Sequence, residues 1–361
     1  MTADRAPQPV SSQPAALSPA WTGRTDGDGP AHRRWHESVR PTVRPADGNP
    51  AAGSAADGRS SGADAPSSGT HSTALTGFAS DEGVRRNHGR VGAVEGPDAL
   101  RAALAPLAVL DGTGVLVDAG DVAVERGDDA APGDLEAGQA ALGAALADLL
   151  DAHDLAVVLG GGHETAYASY RGLVGSGRVR AGTRVGILNL DAHFDLREAP
   201  RPSSGTPFLQ ALRDADAADH GLAYAVVGIS EANNTRVLFD TAREHGVTWL
   251  TDEQSQTADV TNVRRFVRGF IQAVDVLYLT IDLDVLPAAV APGVSAPAGF
   301  GVPYEVVHAC VAEAAGSGKL ALADVVELNP ALDVDGRTAK AAARLIHTIV
   351  SRHRTDASLL A

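Results

Sequence analysis

The sequence predicts a single doubly wound α/β domain with a mostly parallel, eight-stranded sheet, preceded by a partly disordered N-terminal region. Three observations carry this reading. From residue 73 onward, short β-branched runs alternate with Ala-rich helical stretches. Several runs, such as Leu155-Ala156-Val157-Val158-Leu159, are continuously apolar, as strands become when helices cover both faces of a parallel sheet. Polar residues then cluster where these runs end, which is where open α/β sheets bind ligands.

The elements follow in order. Residues 1–20 are polar and Pro-rich and read as disordered, whereas 21–40 carries Trp21 and Trp35 and reads as a short piece able to dock on the body. Residues 41–72 contain no Leu, Ile, Met or aromatic side chain, and Val43 is their one branched aliphatic. Such a low-complexity segment buries too little apolar surface to offset its ordering entropy. The body, 73–361, has expected strands at 74–79, 114–118, 155–159, 184–190, 223–229, 247–250, 276–281 and 320–328. Expected helices span 97–107, 135–152, 164–174, 235–245, 260–274, 304–315 and 337–351.

Composition narrows the function. The 361 residues are 44% hydrophobic without an apolar run of transmembrane length, which predicts a soluble globular protein. The first twenty residues lack the apolar stretch of a signal peptide, and Cys310, the single cysteine, fits a reducing cytoplasm. With 30 Lys and Arg against 45 Asp and Glu, the net charge of −15 argues against nucleic acid and against an anionic membrane surface as partners. A small-molecule substrate is expected instead.

Four apolar runs deliver chemistry to one sheet edge. Leu155–Leu159 leads into Gly160-Gly161-Gly162-His163-Glu164, and 184–190 into Asp191-Ala192-His193-Phe194-Asp195. The run at 276–281 leads into Asp282-Leu283-Asp284, and the last strand ends in Glu327-Leu328-Asn329-Pro330. In an extended segment, residues two apart project from one face, so Asp191, His193 and Asp195 point together, as do Asp282 and Asp284. With His163 they form an oxygen-rich set with two imidazoles, suited to a hard or borderline divalent metal such as Mn2+. Four crowded carboxylates call for about two such cations, with Asp191 and Asp282 as bridging candidates. The glycine run lacks both the Lys-Ser/Thr of a P-loop and the spacing of a dinucleotide fingerprint. His153, His308 and His347 lie in helical context and read as packing or surface residues; Cys310, in an apolar helix, reads as core.

These motifs resemble the arginase/agmatinase (ureohydrolase) family over residues 73–361. The Asp191–Asp195 segment and the Asp282/Asp284 pair match its metal-binding motifs, Asn87 to Arg101 resembles its N-terminal signature, and Glu327–Pro330 its closing motif. The resemblance implies a binuclear manganese centre, two Mn2+ per subunit, held by His163, Asp191, His193, Asp195, Asp282 and Asp284, and a homo-oligomer. Departures from the family pattern sort the branch. The Gly-Gly-Asp-His-Ser text of arginases is here Gly161-Gly162-His163-Glu164, and the histidine of the agmatinase His-Gly-Thr-Pro-Phe text is here Ser204. A serine cannot shuttle protons near neutral pH as histidine does. With Gly83-Val84-Arg85-Arg86-Asn87, the variants resemble the branch that hydrolyses N-formimidoyl-L-glutamate to L-glutamate and formamide in histidine degradation.

The resemblance implies two catalytic roles. Asp195 would be a metal ligand that also passes the water's proton to the leaving amine, and Glu327 would pair with the amidinium nitrogens. A substrate with two carboxylates needs a local basic patch on an acidic protein. Arg85, Arg86 and Asn87 are the expected receivers, with Ser204, Asn234 and Arg197 as further candidates. Two rivals remain open at this point. One is a urea-releasing guanidino hydrolase with the same metals; the other is a non-catalytic metal-binding protein of this fold.

Overall fold

The computed structural model describes residues 17–42, 71–125, 127–128, 133–218 and 221–353. Most of the stretches expected to be disordered, 1–16 and 43–70, lie outside the described residues. The strands are β1 (Val39–Pro41), β2 (Ser72–Ala79), β3 (Val115–Ala123), β4 (Leu155–Leu159), β5 (Val185–Leu190), β6 (Leu222–Ile229), β7 (Thr248–Thr251), β8 (Val276–Asp282) and β9 (Leu320–Val326). The helices are α1 (Trp35–Ser38), α2 (Glu82–Arg86), α3 (Gly96–Leu104), α4 (Leu135–Ala152), α5 (Thr165–Gly175), α6 (Pro207–Ala217), α7 (Arg236–Glu244), α8 (Val260–Gln272), α9 (Tyr304–Ala315) and α10 (Arg337–Arg352).

The strands form one nine-stranded sheet in the order β1-β3-β2-β4-β9-β8-β5-β6-β7, with every pairing parallel. The continuous apolar runs explain themselves in β4. Leu155, Val157 and Leu159 enter one core with Leu100 of α3, Val267 of α8, Val311 of α9 and Ile346 of α10. Ala156 and Val158 face the opposite core, with Leu142 of α4, Tyr170 of α5 and Leu212 of α6. Each strand residue therefore meets a helix layer, and each fully buried Leu or Val contributes about 1.5–3 kcal/mol.

Three of the departures from the sequence expectation have clear physical reasons. The sheet has a ninth strand, β1, which pairs with β3 in the register Val39↔Leu116. Three residues carry no periodicity, so nothing marked them as a strand. Helix α6 starts at Pro207, inside the motif used to sort the family branch; proline suits the first turn of a helix because its missing N–H has no partner there. The last strand stops at Val326 rather than 328 because Glu327 adopts φ 69°, which ends the extended run.

Residues 17–42 lie against the body. The Trp21 and Trp35 rings stack with centroids 6.4 Å apart and join the core that contains α3 and α10. Trp21 Nε1 donates to Asp118 Oδ2 at 2.6 Å, and the same carboxylate accepts from Arg101 Nε at 2.9 Å. Arg101 is wholly buried, a position tolerable for a guanidinium because Asp118 and Asp121 both engage it.

The strand order is what builds the site. Strands β8 and β9, late in the chain, slot between β4 and β5. The four motif-bearing strands thus become four consecutive strands at the centre of the sheet, with their carboxyl ends side by side.

Candidate metal centre and active site

The glycine run after β4 is a matter of backbone crowding. A Cβ on Gly161 would stand 1.9 Å from the Ser80 carbonyl oxygen, and one on Gly160 would stand 2.9 Å from the Val325 carbonyl oxygen. Glycine lets the β4 end pass between the ends of β2 and β9 and deliver His163 to the cluster.

The six residues expected to hold metal converge. Ligand atoms of His163, Asp191 and Asp195 form one group and those of Asp191, His193 and Asp284 a second, each group within 4.8 Å. Asp191 belongs to both: Oδ2 lies 3.1 Å from His163 Nδ1, and Oδ1 lies 3.5 Å from His193 Nδ1. His163 Nδ1 also faces Asp195 Oδ2 at 3.0 Å and Asp282 Oδ2 at 3.1 Å, while His193 Nδ1 faces Asp284 Oδ2 at 3.1 Å. Asp282, the other expected bridge, gives its Oδ1 to the backbone N–H of Asp284 at 2.8 Å.

This donor set fits divalent cations. His163 Nδ1 is buried without a hydrogen-bond partner although three carboxylate oxygens surround it. Its Nε2 lies 3.0 Å from Thr280 Oγ1. With the proton on Nε2, Nδ1 presents a lone pair among carboxylate oxygens, which is repulsive without a positive charge between them. The carboxylates lead to the same conclusion. Burial, then repulsion from Asp191, raises the Asp195 carboxyl above its ordinary range. Burial with repulsion from Asp284 and Asp191 raises Asp282 well above it. Two imidazoles with carboxylates suit Mn2+ better than thiolate-seeking metals, and Cys310 is buried in the core of α9.

Glu327 stands beside this cluster. Its Oε1 accepts the His163 backbone N–H at 2.8 Å. Burial and the neighbouring Glu164 charge push its carboxyl up to about 8. Glu327 and Asp195 share a backbone trait, φ 69° and φ 49°. Left-handed geometry is uncommon for side chains larger than glycine, and here it occurs at both residues expected to be catalytic.

The expected substrate contacts divide. Asn87 Nδ2 donates to Ser204 Oγ at 3.2 Å, and Asn87, Arg197 and Arg201 line a cavity of about 880 Å³ with Ser203, Thr235 and Thr241. None of the six candidate metal ligands lines that cavity, although Leu196, the residue after Asp195, does. Arg86 is there too, but its geometry reassigns it. Its N–H groups go to Glu82 Oε1, to both Glu136 oxygens and to the Pro202 and Gly133 carbonyls, so no donor remains for substrate. Arg85 grips both oxygens of Glu82. That double clamp holds the Glu82 carboxyl down at about 2. Asn234 is likewise a splint: Oδ1 accepts from Phe194 N, and Nδ2 donates to the Ala192 and Ser230 carbonyls, fixing the Asp191–Asp195 loop. Arg197 is exposed and forms no ion pair among the described residues.

Sequence reasoning passed over Glu164, Asn189 and Thr280. Glu164 is buried, with Oε1 accepting from Ser80 Oγ and Gly83 N, both at 2.9 Å. It therefore ties the start of α2 to the metal loop. Asn189 and Thr280 did leave a signal, as polar residues inside otherwise apolar strands.

The arginase family's sequence profile matches residues 71–351, and the chain belongs to the arginase family. Its curated relatives are more particular. The chain is 53% identical to the formimidoylglutamase of Nocardia farcinica, over 93% of this chain and 97% of that protein. It is 47% identical to the formimidoylglutamase of Chromobacterium violaceum, over 92% and 97%. Among solved structures, it resembles Trypanosoma cruzi formiminoglutamase with Mn2+ at a TM-score of 0.67 and 23% identity, covering 78% of this chain and 93% of that one. Bacillus subtilis formimidoylglutamase gives 0.67 and 21%, covering 81% and 95%. At those identities the structural likeness is one of fold.

Proposed function

We propose that the chain hydrolyses N-formimidoyl-L-glutamate with water to L-glutamate and formamide, a step of histidine degradation. The observation that carries the reading is the convergence of His163, Asp191, His193, Asp195 and Asp284, with Asp282 Oδ2 3.1 Å from His163 Nδ1. The Asn87–Ser204 hydrogen bond, at a position where the agmatinase text has a histidine, supports the branch. The identity to curated formimidoylglutamases supports it. A buried single thiol at Cys310 favours a reducing, cytoplasmic setting. Among the described residues no helix is long and apolar enough to cross a membrane.

Two Mn2+ are the proposed cofactor, and His163, Asp191, His193, Asp195, Asp282 and Asp284 are the residues that would hold them. When bound, the cations would acidify water and so supply a nucleophile near neutral pH. The chain's own groups do the rest. Asp195 accepts the proton of the attacking water and passes it to the nitrogen that leaves with glutamate. Glu327, steadied by the His163 backbone N–H, accepts hydrogen bonds from the amidinium nitrogens. That pairing restores the charge which burial otherwise disfavours. Arg197 receives a substrate carboxylate, taking the role that Arg86 cannot, while Asn87 and Ser204 contact the substrate's polar groups.

An assay panel with added Mn2+ tests this. Formamide is expected from formimidoylglutamate, with no urea from arginine, agmatine or guanidinobutyrate. Urea release would overturn the reading in favour of a guanidino hydrolase; inactivity on all four, with metal bound, would favour a non-catalytic metal protein. The Arg197→Ala variant should raise KM for formimidoylglutamate about 10- to 100-fold, the equivalent of one lost charge-assisted hydrogen bond, with a smaller change in kcat. An unchanged KM removes Arg197 from the site.

A further inference from the structure

Beneath the metal ligands runs a buried polar layer. Asn189 of β5 is in register with Thr280 of β8, and Thr280 with Asp324 of β9, so three polar side chains stand in one row across three central strands. All three are fully buried. The strand period of two places Asn189 directly below Asp191 and Thr280 directly below Asp282. In an α/β sheet packed on both faces this row is costly unless each member is hydrogen-bonded.

The bonds lead upward to the metal ligands. Asn189 Nδ2 donates to Asp191 Oδ2 at 2.9 Å, and Thr280 Oγ1 lies 3.0 Å from His163 Nε2. From below, Asp324 Oδ2 accepts from Ser169 Oγ at 2.8 Å and from the Tyr278 hydroxyl. Its Oδ1 is buried with no partner. If His163 is to ligate through Nδ1, Nε2 must carry the proton and Thr280 Oγ1 must accept it. The Thr280 hydroxyl proton then needs an acceptor, and the in-register neighbour with an unfilled oxygen is Asp324.

We propose that Thr280 and Asp324 are positioning residues that fix the His163 tautomer and strengthen its Nδ1 as a donor, through a His163–Thr280–Asp324 relay. This rests on the reading of His163 as a metal ligand. A carboxylate behind a ligating imidazole holds the ring and raises its basicity, and such outer partners are worth about 10- to 100-fold in metal affinity. The relay serves one of the two metal groups only. His193 has no comparable hydrogen bond to a buried residue among those described, so the effect should be confined to the His163 side.

The test is Mn2+ titration of the metal-stripped full chain, following free Mn2+ by electron paramagnetic resonance. Wild type should bind two equivalents. Thr280→Val should weaken one of the two by about 10- to 100-fold and leave the other within about twofold. Thr280→Ser, which keeps the hydroxyl, should restore wild-type affinity. Asp324→Asn should weaken the same equivalent by about tenfold. Equal loss at both equivalents, equal loss in Thr280→Ser and Thr280→Val, or wild-type affinity in Asp324→Asn would overturn the relay. If Thr280→Val fails to fold, the Thr280→Ser and Asp324→Asn titrations still decide. A wild type that binds no Mn2+ would overturn the metal reading itself, and the relay with it.

Discussion

Exhaustive chelation should abolish turnover and lower the melting temperature by on the order of ten degrees, and Mn2+ should restore both. The cause is the crowding of Asp191, Asp195, Asp282 and Asp284, all buried, around two imidazole nitrogens. A cation present at a thousand times its dissociation constant stabilises the folded state by about 4 kcal/mol per site. For a body of about 290 residues, at about 2.1 cal/mol/K of unfolding entropy per residue, each kcal/mol moves the midpoint by about 1.6 °C, so two sites give on the order of ten degrees. The sign of the pH dependence follows from the ligands. Without cations, His163, His193, Asp195, Asp282 and Asp284 all hold protons more tightly than they ordinarily would. Bound cations must displace those protons, so the stability gap between metal-loaded and metal-free protein should widen as pH rises. Differential scanning calorimetry of both forms, each at several pH values, measures it. A gap that is absent, or that narrows with rising pH, removes the metal centre from the account.

Much of this site was legible because its signals are local. Asp191-Ala192-His193-Phe194-Asp195 places three candidate ligands within five residues. The segment nevertheless lies beyond the end of β5 at Leu190 and bends, with Asp195 at φ 49°, so it is the turning loop and not strand alternation that brings them to the cluster. The sheet order was not legible. Nothing near β8 or β9 says that they insert between β4 and β5, yet that insertion is what gathers the motifs. Charges were read least well. Arg86 looked available because its partners, Glu136 and the Gly133 and Pro202 carbonyls, are remote in sequence. Asn234, expected to contact substrate, has its amide committed to backbone groups of the Ala192–Phe194 segment and to the Ser230 carbonyl. The positive φ of Asp195 and Glu327 left no trace in residue type, since Asp and Glu sit in strand-end motifs in either backbone region. By contrast, the polar Asn189 and Thr280 inside apolar runs were a readable sign of a buried network.

The Asp195→Asn variant should lose about three orders of magnitude in kcat while keeping its fold and most of its metal. The substitution isolates the proton-transfer role for three reasons. Asparagine matches the carboxylate in shape and retains one oxygen for the position Oδ2 holds, 3.0 Å from His163 Nδ1. Asparagine is also among the residues that best tolerate left-handed backbone, so φ 49° at this position adds no strain, as alanine there would. And the cluster retains five other ligand residues, His163, Asp191, His193, Asp282 and Asp284. What the amide cannot do is accept the proton of the attacking water and return it to the leaving nitrogen, so the loss should fall on kcat with KM little changed. Metal content by atomic emission, the melting temperature and steady-state kinetics separate the cases. Metal near wild type with kcat within tenfold of wild type would remove Asp195 from proton transfer. Loss of one metal equivalent together with activity would instead make it a ligand first. The same loss of kcat with both equivalents retained is the outcome expected of a proton carrier.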